Sequence, residues 1–256
     1  MIPAAFDYVR ATSVREALNA LAAGDAKLLA GGHSLLPVMR FRLAQPAKLI
    51  DIGRLEELRG IQAKGRAVRI GAASTYRDLL DDVLLTERYP LIAEATLGIG
   101  DLQVRNRGTI GGGLVHADPA SDMPAVMLAL GATFNLRAKT GKRSIPARDF
   151  FLGPFSTAMR DDELLYEVIL PAPPKKAGMA YVSFDQKASG YALAAAAAVV
   201  TRSRKSIKSV TLALTGVGLK AYLAEVPDAI GTHGGDEELE AALAAVADSA
   251  VVSTDV

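Results

Sequence analysis

The apolar and polar positions of the first 55 residues alternate between short apolar runs and helical periodicity. Three runs, residues 6–9, 27–30 and 49–52, predict strands. Ser13 and Glu16 fit the capping box of a helix, and apolar residues then recur every three or four positions. A second helix is predicted from residue 35. This order of strands and helices is typical of a small α/β unit.

The rest of the chain predicts two further groups of elements, separated by a proline-rich segment at 171–176 that has linker composition. Before the segment the pattern predicts a hairpin over 60–71 turning at Lys64–Gly65, helices over 75–82, 90–97 and 119–130, and strands over 133–138 and 163–170. After it the pattern predicts strands over 179–184, 192–200 and 209–214, and a helix over about 237–250. The expected domains are therefore 1–58, 59–174 and 175–256.

Composition excludes several classes of protein. Half of the 256 residues are apolar, which excludes general disorder, and 29 basic against 28 acidic residues give no basic surface for nucleic acid. With no cysteine, the chain cannot form disulfides, thiolate metal sites or iron–sulfur clusters. No apolar run reaches the roughly 18 residues of a membrane span, and the N-terminus carries Asp7 without an apolar signal region. We therefore expect a cytoplasmic protein without a membrane span.

Two glycine-rich segments carry most of the chemical information. Residues 29–35 and 108–113 are both predicted as tight turns beside apolar strands. Consecutive amides in such turns can form a phosphate-binding array, to which Ser34 and Thr109 would add hydroxyl groups. A Cβ at Gly32 or Gly111 is then expected to stand where a phosphate must approach. Neither segment matches G-x-G-x-x-G or a Walker A loop, and spacing alone leaves open that the glycines serve only the backbone.

Three longer strings resemble, in order, the motifs of one family. They are AGGHSLLPVM at 30–39, RGTIGG at 107–112 and HADPASD at 116–122, with supporting pieces such as KASGYA at 187–192. The family is the FAD-binding medium subunit of molybdenum hydroxylases of the carbon monoxide dehydrogenase and xanthine dehydrogenase type. The resemblance implies an α+β fold in which two α/β subdomains of the PCMH type clasp FAD, followed by a smaller α/β C-terminal domain.

The resemblance also implies which residues hold the cofactor. The backbone of two segments would embrace the pyrophosphate, Asp122 would bond the ribityl or adenosine part, and three side chains would line the flavin. Lys187 among these would raise the flavin potential as a nearby cation. The segments are Leu29, Ala30, Gly31, Gly32, His33, Ser34, Leu35 and Leu36, and Thr109, Ile110, Gly111, Gly112 and Gly113; the flavin-side residues are Ile99, Leu165 and Lys187.

No catalytic residue and no metal site is predicted in this chain. His33 and His116 each lack the partners of a catalytic or metal-binding histidine. Asp118, followed by proline, is predicted as a structural helix N-cap. Two departures from the family are Gly113, where asparagine or serine is usual, and an end at Val256. The third domain is therefore expected to be truncated or divergent after about residue 220.

The function implied by the resemblance is electron transfer. Electrons would arrive from an iron–sulfur small subunit, whose complex also holds a molybdopterin large subunit, and leave through FAD to a soluble acceptor such as NAD or a quinone. Two alternatives are a stand-alone FAD-dependent oxidoreductase, which would need a substrate pocket with its own base, and a non-catalytic nucleotide-binding scaffold. Flavin content distinguishes the scaffold from the other two.

Overall fold

The chain begins with a three-stranded parallel sheet in the computed structural model, which describes residues 2–233, 235 and 237–250. Its elements are β1 (Asp7–Arg10), α1 (Val14–Leu21), β2 (Ala26–Leu29), α2 (Leu35–Arg40) and β3 (Lys48–Asp51). The strand order is β1-β3-β2, with both pairs parallel, so the carboxyl ends of all three strands meet at one edge.

The predicted capping box of α1 forms only in part. The Ser13 hydroxyl accepts a hydrogen bond from the Glu16 amide at 3.2 Å. The Glu16 carboxylate turns instead to the amide of Thr12, at 2.7 Å. The apolar face of α1 packs on the sheet and, together with Ala73 and Leu164 of the next subdomain, forms a separate core. The predicted small α/β unit is thus confirmed, and it packs against residues of the second subdomain.

The second subdomain is a five-stranded sheet covered by helices. Its elements are β4 (Ile61–Lys64), β5 (Ala67–Gly71), α3 (Tyr76–Asp81), α4 (Val83–Arg88), α5 (Pro90–Gly98), α6 (Leu102–Arg105), α7 (Ile110–His116), α8 (Asp122–Ala129), β6 (Thr133–Ala138), β7 (Gly141–Pro146), β8 (Phe151–Gly153), β9 (Ser156–Thr157) and β10 (Glu163–Leu170). The sheet order is β4-β5-β10-β6-β7, and every pair is antiparallel, whereas β8 and β9 pair separately. The helical cover on an antiparallel sheet makes this part α+β rather than α/β.

Local signals in this subdomain predict the helix starts well. Thr75 and Asp78 form the complete capping box of α3, with the Thr75 amide donating to the Asp78 carboxylate at 2.7 Å and the return bond at 3.1 Å. Pro90 begins α5, where its missing N–H costs nothing. Both features place helices on the sheet around a core that contains Phe134 and Phe150.

The C-terminal domain is a four-stranded antiparallel sheet with one long helix. Its elements are β11 (Ala177–Asp185), β12 (Ala192–Ser203), β13 (Ser206–Thr215), β14 (Tyr222–Ala224) and α9 (Glu237–Ser249). The run of alanines at residues 194–198 lies in β12, and its small side chains pack on both faces of the sheet. Ala197 belongs to the core shared with the second subdomain, and Ala196 and Ala198 pack in the cluster that includes α9. Residues 251–256, at the end expected to diverge, lie outside the described residues.

Two local predictions in the second subdomain are wrong. Asp118 is not the N-cap of α8; Ser121 holds that position, and the Asp118 carboxylate accepts from the Ala120 amide at 2.9 Å in a tight turn. The glycines 111–113 do not form a turn, because they lie inside α7. Across the described parts of the chain, helices are too short or too polar to cross a membrane.

Candidate functional site

A cleft of about 730 Å³ runs between the two N-terminal subdomains and reaches the β11–β12 loop. Volumes of this order are typical of cofactor sites. Most of the residues predicted to hold a cofactor line it, although they come from distant parts of the chain. They are residues 29–35, Ile99, Thr109, residues 111–113, Asp122 and Leu165.

The first glycine segment offers its backbone amides to the cleft. The amides of residues 31–35 donate no hydrogen bond to any acceptor among the described residues. Gly32 has φ +81°, a conformation that glycine adopts without strain, and Leu36 begins the repeat of bonds that continues through α2. Five successive amides without a protein acceptor among the described residues, at the wall of a cleft, can together bind an anion.

In the second glycine segment, residues 109–113, the amides of residues 110–113 are not free to face the cleft as predicted. Its amides are already engaged: Ile110 donates to Ser74, Gly111 to Ala72, and Gly112 and Gly113 to the Thr109 hydroxyl and carbonyl, at 2.9–3.1 Å. The Thr109 hydroxyl therefore accepts a bond as the N-cap of α7. The absence of side chains keeps the cleft wall flat and permits close packing, since a Cβ at Gly113 would lie 2.2 Å from the Tyr76 hydroxyl oxygen.

The two segments touch each other through their backbones. A Cβ built on Gly31 would lie 2.2 Å from the carbonyl oxygen of Arg107 and 2.9 Å from the Cα of Gly108. Thr75 and Thr109 form an isolated bridge next to this contact. The closeness of the segments requires glycine at 31 and brings the free amides opposite α7.

A carboxylate, Asp122, and two tyrosines line one end of the cleft, and a third tyrosine, Tyr181, bonds to the carboxylate. The hydroxyl of Tyr181 donates to Asp122, and Tyr181 is held on β11 by its amide, which donates to Glu94 at 2.7 Å. Burial raises the pKa of Asp122, and the bond from Tyr181 only partly offsets this rise. Burial likewise raises the pKa of Tyr76, so its phenol keeps its proton. Tyr76 and Tyr191 line the cleft, and neither is predicted as a site residue from the sequence.

The opposite end of the cleft is polar and was also missed from the sequence. Lys27, Arg160, Asp161 and Glu163 line it, and Lys27 lies 3.8 Å from Asp161. Glu163 is 2% exposed and receives two bonds from Arg143, at 2.6 and 2.7 Å. Arg160, Asp161 and Glu163 are neighbours in the sequence. Their contacts with Lys27 on β2 and Arg143 on β7 form only in the folded chain, so no local motif marks them.

Replacement of Glu163 tests this ionic network. Burial opposes ionisation of Glu163, but hydrogen bonds from Arg143 and from the Arg160 amide outweigh it, and the pKa falls below its ordinary value of 4.5. The network therefore stabilises the fold above pH 4.5 and is lost as pH falls through the lowered pKa. Glu163→Gln is expected to reduce the free energy of unfolding by about 1 kcal/mol at pH 7, because the arginines are partly exposed.

Urea denaturation at pH 7 and at pH 4 measures this effect. The difference between Glu163→Gln and the parent chain should shrink at the lower pH, whereas exposed Glu87→Gln should change neither value. An equal loss of stability at both pH values would show that the charge of Glu163 is unimportant.

Three predicted residues lie outside the cleft wall. Leu36 points toward the surface at 39% exposure, and Ile110 is fully buried in the core. Lys187 lies exposed on the β11–β12 loop, whose residues 189–191 do line the cleft.

The histidines show no metal-binding arrangement. In the described part of the chain, no group of three or more His, Asp or Glu side chains is placed to hold a metal ion. Burial lowers the pKa of His116, and its ring packs 5.1 Å from that of Phe155. His116 therefore acts as a neutral, structural part of the cleft wall.

The cleft, the free amides and the half-buried carboxylate of Asp122 define a protein that binds a phosphate-containing cofactor. The profile of the family described as "FAD binding domain in molybdopterin dehydrogenase" matches residues 4–173. The chain belongs to this family, and its cofactor is FAD.

Relatives and solved structures agree with this assignment. The carbon monoxide dehydrogenase medium chain of Hydrogenophaga pseudoflava is 42% identical over 259 residues, covering 98% of this chain and 88% of the relative. The glyceraldehyde dehydrogenase medium chain of Sulfolobus acidocaldarius is 41% identical over 225 residues, with coverages of 88% and 80%. A structure of carbon monoxide dehydrogenase from Hydrogenophaga pseudoflava superposes with a TM-score of 0.94 at 42% identity, covering 100% of this chain and 90% of that one.

Quinoline 2-oxidoreductase from Pseudomonas putida 86 superposes equally well, with a TM-score of 0.94 at 30% identity and coverages of 100% and 90%. The chain is therefore an FAD-binding oxidoreductase subunit of the molybdenum hydroxylase family. The α+β fold predicted from the resemblance is confirmed.

Proposed function

We propose that this chain is the electron-transfer subunit of a molybdenum hydroxylase complex, in which electrons pass from iron–sulfur clusters of a small subunit to an external acceptor by way of the flavin site. The array of free amides at residues 31–35 carries the proposal, because it is the phosphate-binding surface that a dinucleotide cofactor requires. FAD supplies, when bound, a centre that takes up one or two electrons.

The residues of the cleft fit FAD. The amides of residues 31–35 would hold the pyrophosphate, and the flat wall at 111–113 lets it approach. Asp122 accepts hydrogen bonds and would orient a hydroxyl of the cofactor. Ile99 and Leu165 would exclude water along the flavin. The polar end around Arg160 and Asp161 would then receive the remaining part of the cofactor.

Partner chains are inferred from the relatives. With no cysteine, this chain supplies no thiolate ligands for an iron–sulfur cluster, so any cluster in the complex would lie in another subunit. Relatives are medium chains of enzymes named for carbon monoxide, glyceraldehyde and nicotine. We infer that an iron–sulfur small subunit and a molybdopterin large subunit assemble with this chain, and that the large subunit selects the substrate.

The complex with a defective flavin site tests the proposal. Flavin released from the purified chain by denaturation is expected to be FAD at one per chain. In a complex carrying Gly31→Ala, substrate should still bleach the iron–sulfur absorbance, but turnover with NAD or a quinone should stop. Reduction of the isolated FAD-loaded chain by an organic substrate would instead support a stand-alone oxidoreductase. Full turnover without flavin would leave only a scaffold role.

Lys187→Met tests the proposed tuning of the flavin. A cation near the flavin favours the reduced form, so its removal should lower the midpoint potential. Because Lys187 is exposed, the interaction is worth at most about 1 kcal/mol, or about 20 mV for a two-electron couple. A redox titration of the FAD-loaded chain measures the shift, with exposed Lys208→Met on the same domain as the control. An unchanged potential would remove this role from Lys187.

A further inference from the structure

A second cavity, of about 360 Å³, adjoins the FAD cleft. The two share Leu29, Ala30 and Thr109, and the other walls of the second cavity come from both subdomains. We call it the arginine cavity, because its lining includes Arg10, Arg54, Arg59 and Arg107. Tyr8, Asp51, Gly53, Thr75 and Asn106 complete the lining.

The arginine cavity lies at the carboxyl edge of the parallel sheet. β1 ends at Arg10, β2 at Leu29 and β3 at Asp51, and all three residues line it. The carboxyl ends of parallel strands are where α/β sheets place their ligands. The FAD cleft also reaches this edge of the sheet, at the end of β2. The FAD cleft and the arginine cavity are therefore two neighbouring cavities at the same edge.

The positive charges in this cavity are not neutralised by the protein. Within residues 2–233, 235 and 237–250, the structure shows no ion pair or hydrogen bond made by the side chains of Arg10, Arg54 or Arg107. Asp51 is the acidic residue of the lining, and its two oxygens are taken by the Tyr8 hydroxyl at 2.5 Å and the Gly53 amide at 2.9 Å. Four arginines and one carboxylate, whose oxygens already accept hydrogen bonds, therefore line the cavity in a chain of net charge +1. Arg10, Arg54 and Arg107 are exposed, and Arg59 is partly buried.

Arg59 adds a buried donor without an acceptor. Its Nη2 donates to the Gly53 carbonyl at 2.9 Å, which fixes the guanidinium plane. Its Nε is buried and has no partner in the described part of the chain. Buried donors are nearly always satisfied, so an orphaned guanidinium nitrogen at a cavity wall indicates an acceptor supplied from outside.

We propose that the arginine cavity binds the phosphate group of a phosphorylated small molecule. Guanidinium groups match phosphate oxygens with paired N–H donors, and several of them compensate the charge of a di- or trianion. A volume of 360 Å³ lies in the range of small-molecule sites and leaves room for more than the phosphate itself. The site is separate from the FAD cleft and implies a second ligand held beside the cofactor.

Calorimetric titration of the FAD-loaded full-length chain tests the proposal, because bound FAD blocks the main cleft. The probes are inorganic pyrophosphate and ADP. Each is expected to bind at one per chain, and the affinity should fall as salt is added. Tighter binding of ADP would identify a nucleotide as the ligand class, and equal binding would show that the phosphates alone are recognised.

Variants tie the binding to the arginines. Arg10→Met/Arg54→Met should weaken both probes at least tenfold without changing flavin content, because neither side chain supports the fold through a bond shown in the structure. Arg59→Met should weaken them similarly. Exposed Arg66→Met, on the β4–β5 turn, is the matched control and should bind like the parent chain.

Three results would overturn the proposal. They are no binding of either probe to the FAD-loaded chain, equal binding by Arg10→Met/Arg54→Met and the parent, or binding seen only after FAD is removed. Loss of assembly with partner subunits in the double variant, without any probe binding, would assign the arginines to a protein interface instead.

Discussion

A single methyl group added at Gly31 is expected to weaken the binding of FAD strongly. The Cβ of alanine would lie 2.2 Å from the Arg107 carbonyl oxygen and 2.9 Å from the Gly108 Cα. Both neighbours are backbone atoms and cannot rotate away, so the two glycine segments must separate. Strain of this kind costs about 3 kcal/mol, and the amides of residues 31–35 would leave their positions. We expect Gly31→Ala to weaken FAD binding about 100-fold.

The flavin-to-protein ratio after purification and titration of the FAD-free chain with FAD measure this loss. Gly98→Ala is the control, since a Cβ there meets nothing within 4 Å and alanine favours the helix. Gly98→Ala should keep full flavin occupancy and equal or greater stability. Stoichiometric FAD in Gly31→Ala would mean that the contact between the segments does not govern the site.

The two glycine segments show what the sequence reveals of a site and what it does not. Glycine content and neighbouring hydroxyl residues point to two segments, and residues of both line the cleft. Their separate roles depend on which distant residues pack against them. A Cβ at Gly111 would lie 2.6 Å from both the Cβ and the carbonyl oxygen of Ala72, so valine there disturbs packing before any phosphate arrives. Gly111→Val is therefore expected to disturb the fold as well as the cofactor site.

Periodicity predicts most elements but not their pairing. Many strands and helices follow the apolar pattern, including the alanine-rich β12, whereas short elements such as α6, α7 and β7 do not. Nothing in the pattern shows that β10 lies between β5 and β6, or that the middle sheet is antiparallel. Contacts formed by that pairing, such as the bonds of Glu163 to Arg143, are consequently invisible in the sequence. The arginine cavity is hidden in the same way, because its four arginines come from three distant segments of a nearly neutral chain.

Asp122→Asn is expected to change stability and FAD affinity in opposite directions. Burial raises the pKa of Asp122 above its ordinary value of 3.8, so the FAD-free fold loses stability as pH rises from 3.8 through the raised pKa. Asparagine carries no charge, and the FAD-free variant should be more stable than the parent at pH 7. If the carboxylate holds a cofactor hydroxyl, the loss of a charge-assisted hydrogen bond of about 1.5–3 kcal/mol should weaken FAD about 10- to 100-fold.

Urea denaturation of the FAD-free chain and titration with FAD measure the two quantities, with exposed Asp7→Asn as the control for removing a carboxylate. Tyr181→Phe completes the comparison, because it removes the bond that lowers the pKa of Asp122. FAD binding by Tyr181→Phe should therefore weaken on acidification at a higher pH than in the parent. If Asp122 had only a structural role, Asp122→Asn would lower both the stability of the chain and its affinity for FAD. Only opposite changes in the two quantities identify a carboxylate that holds the cofactor at the expense of stability.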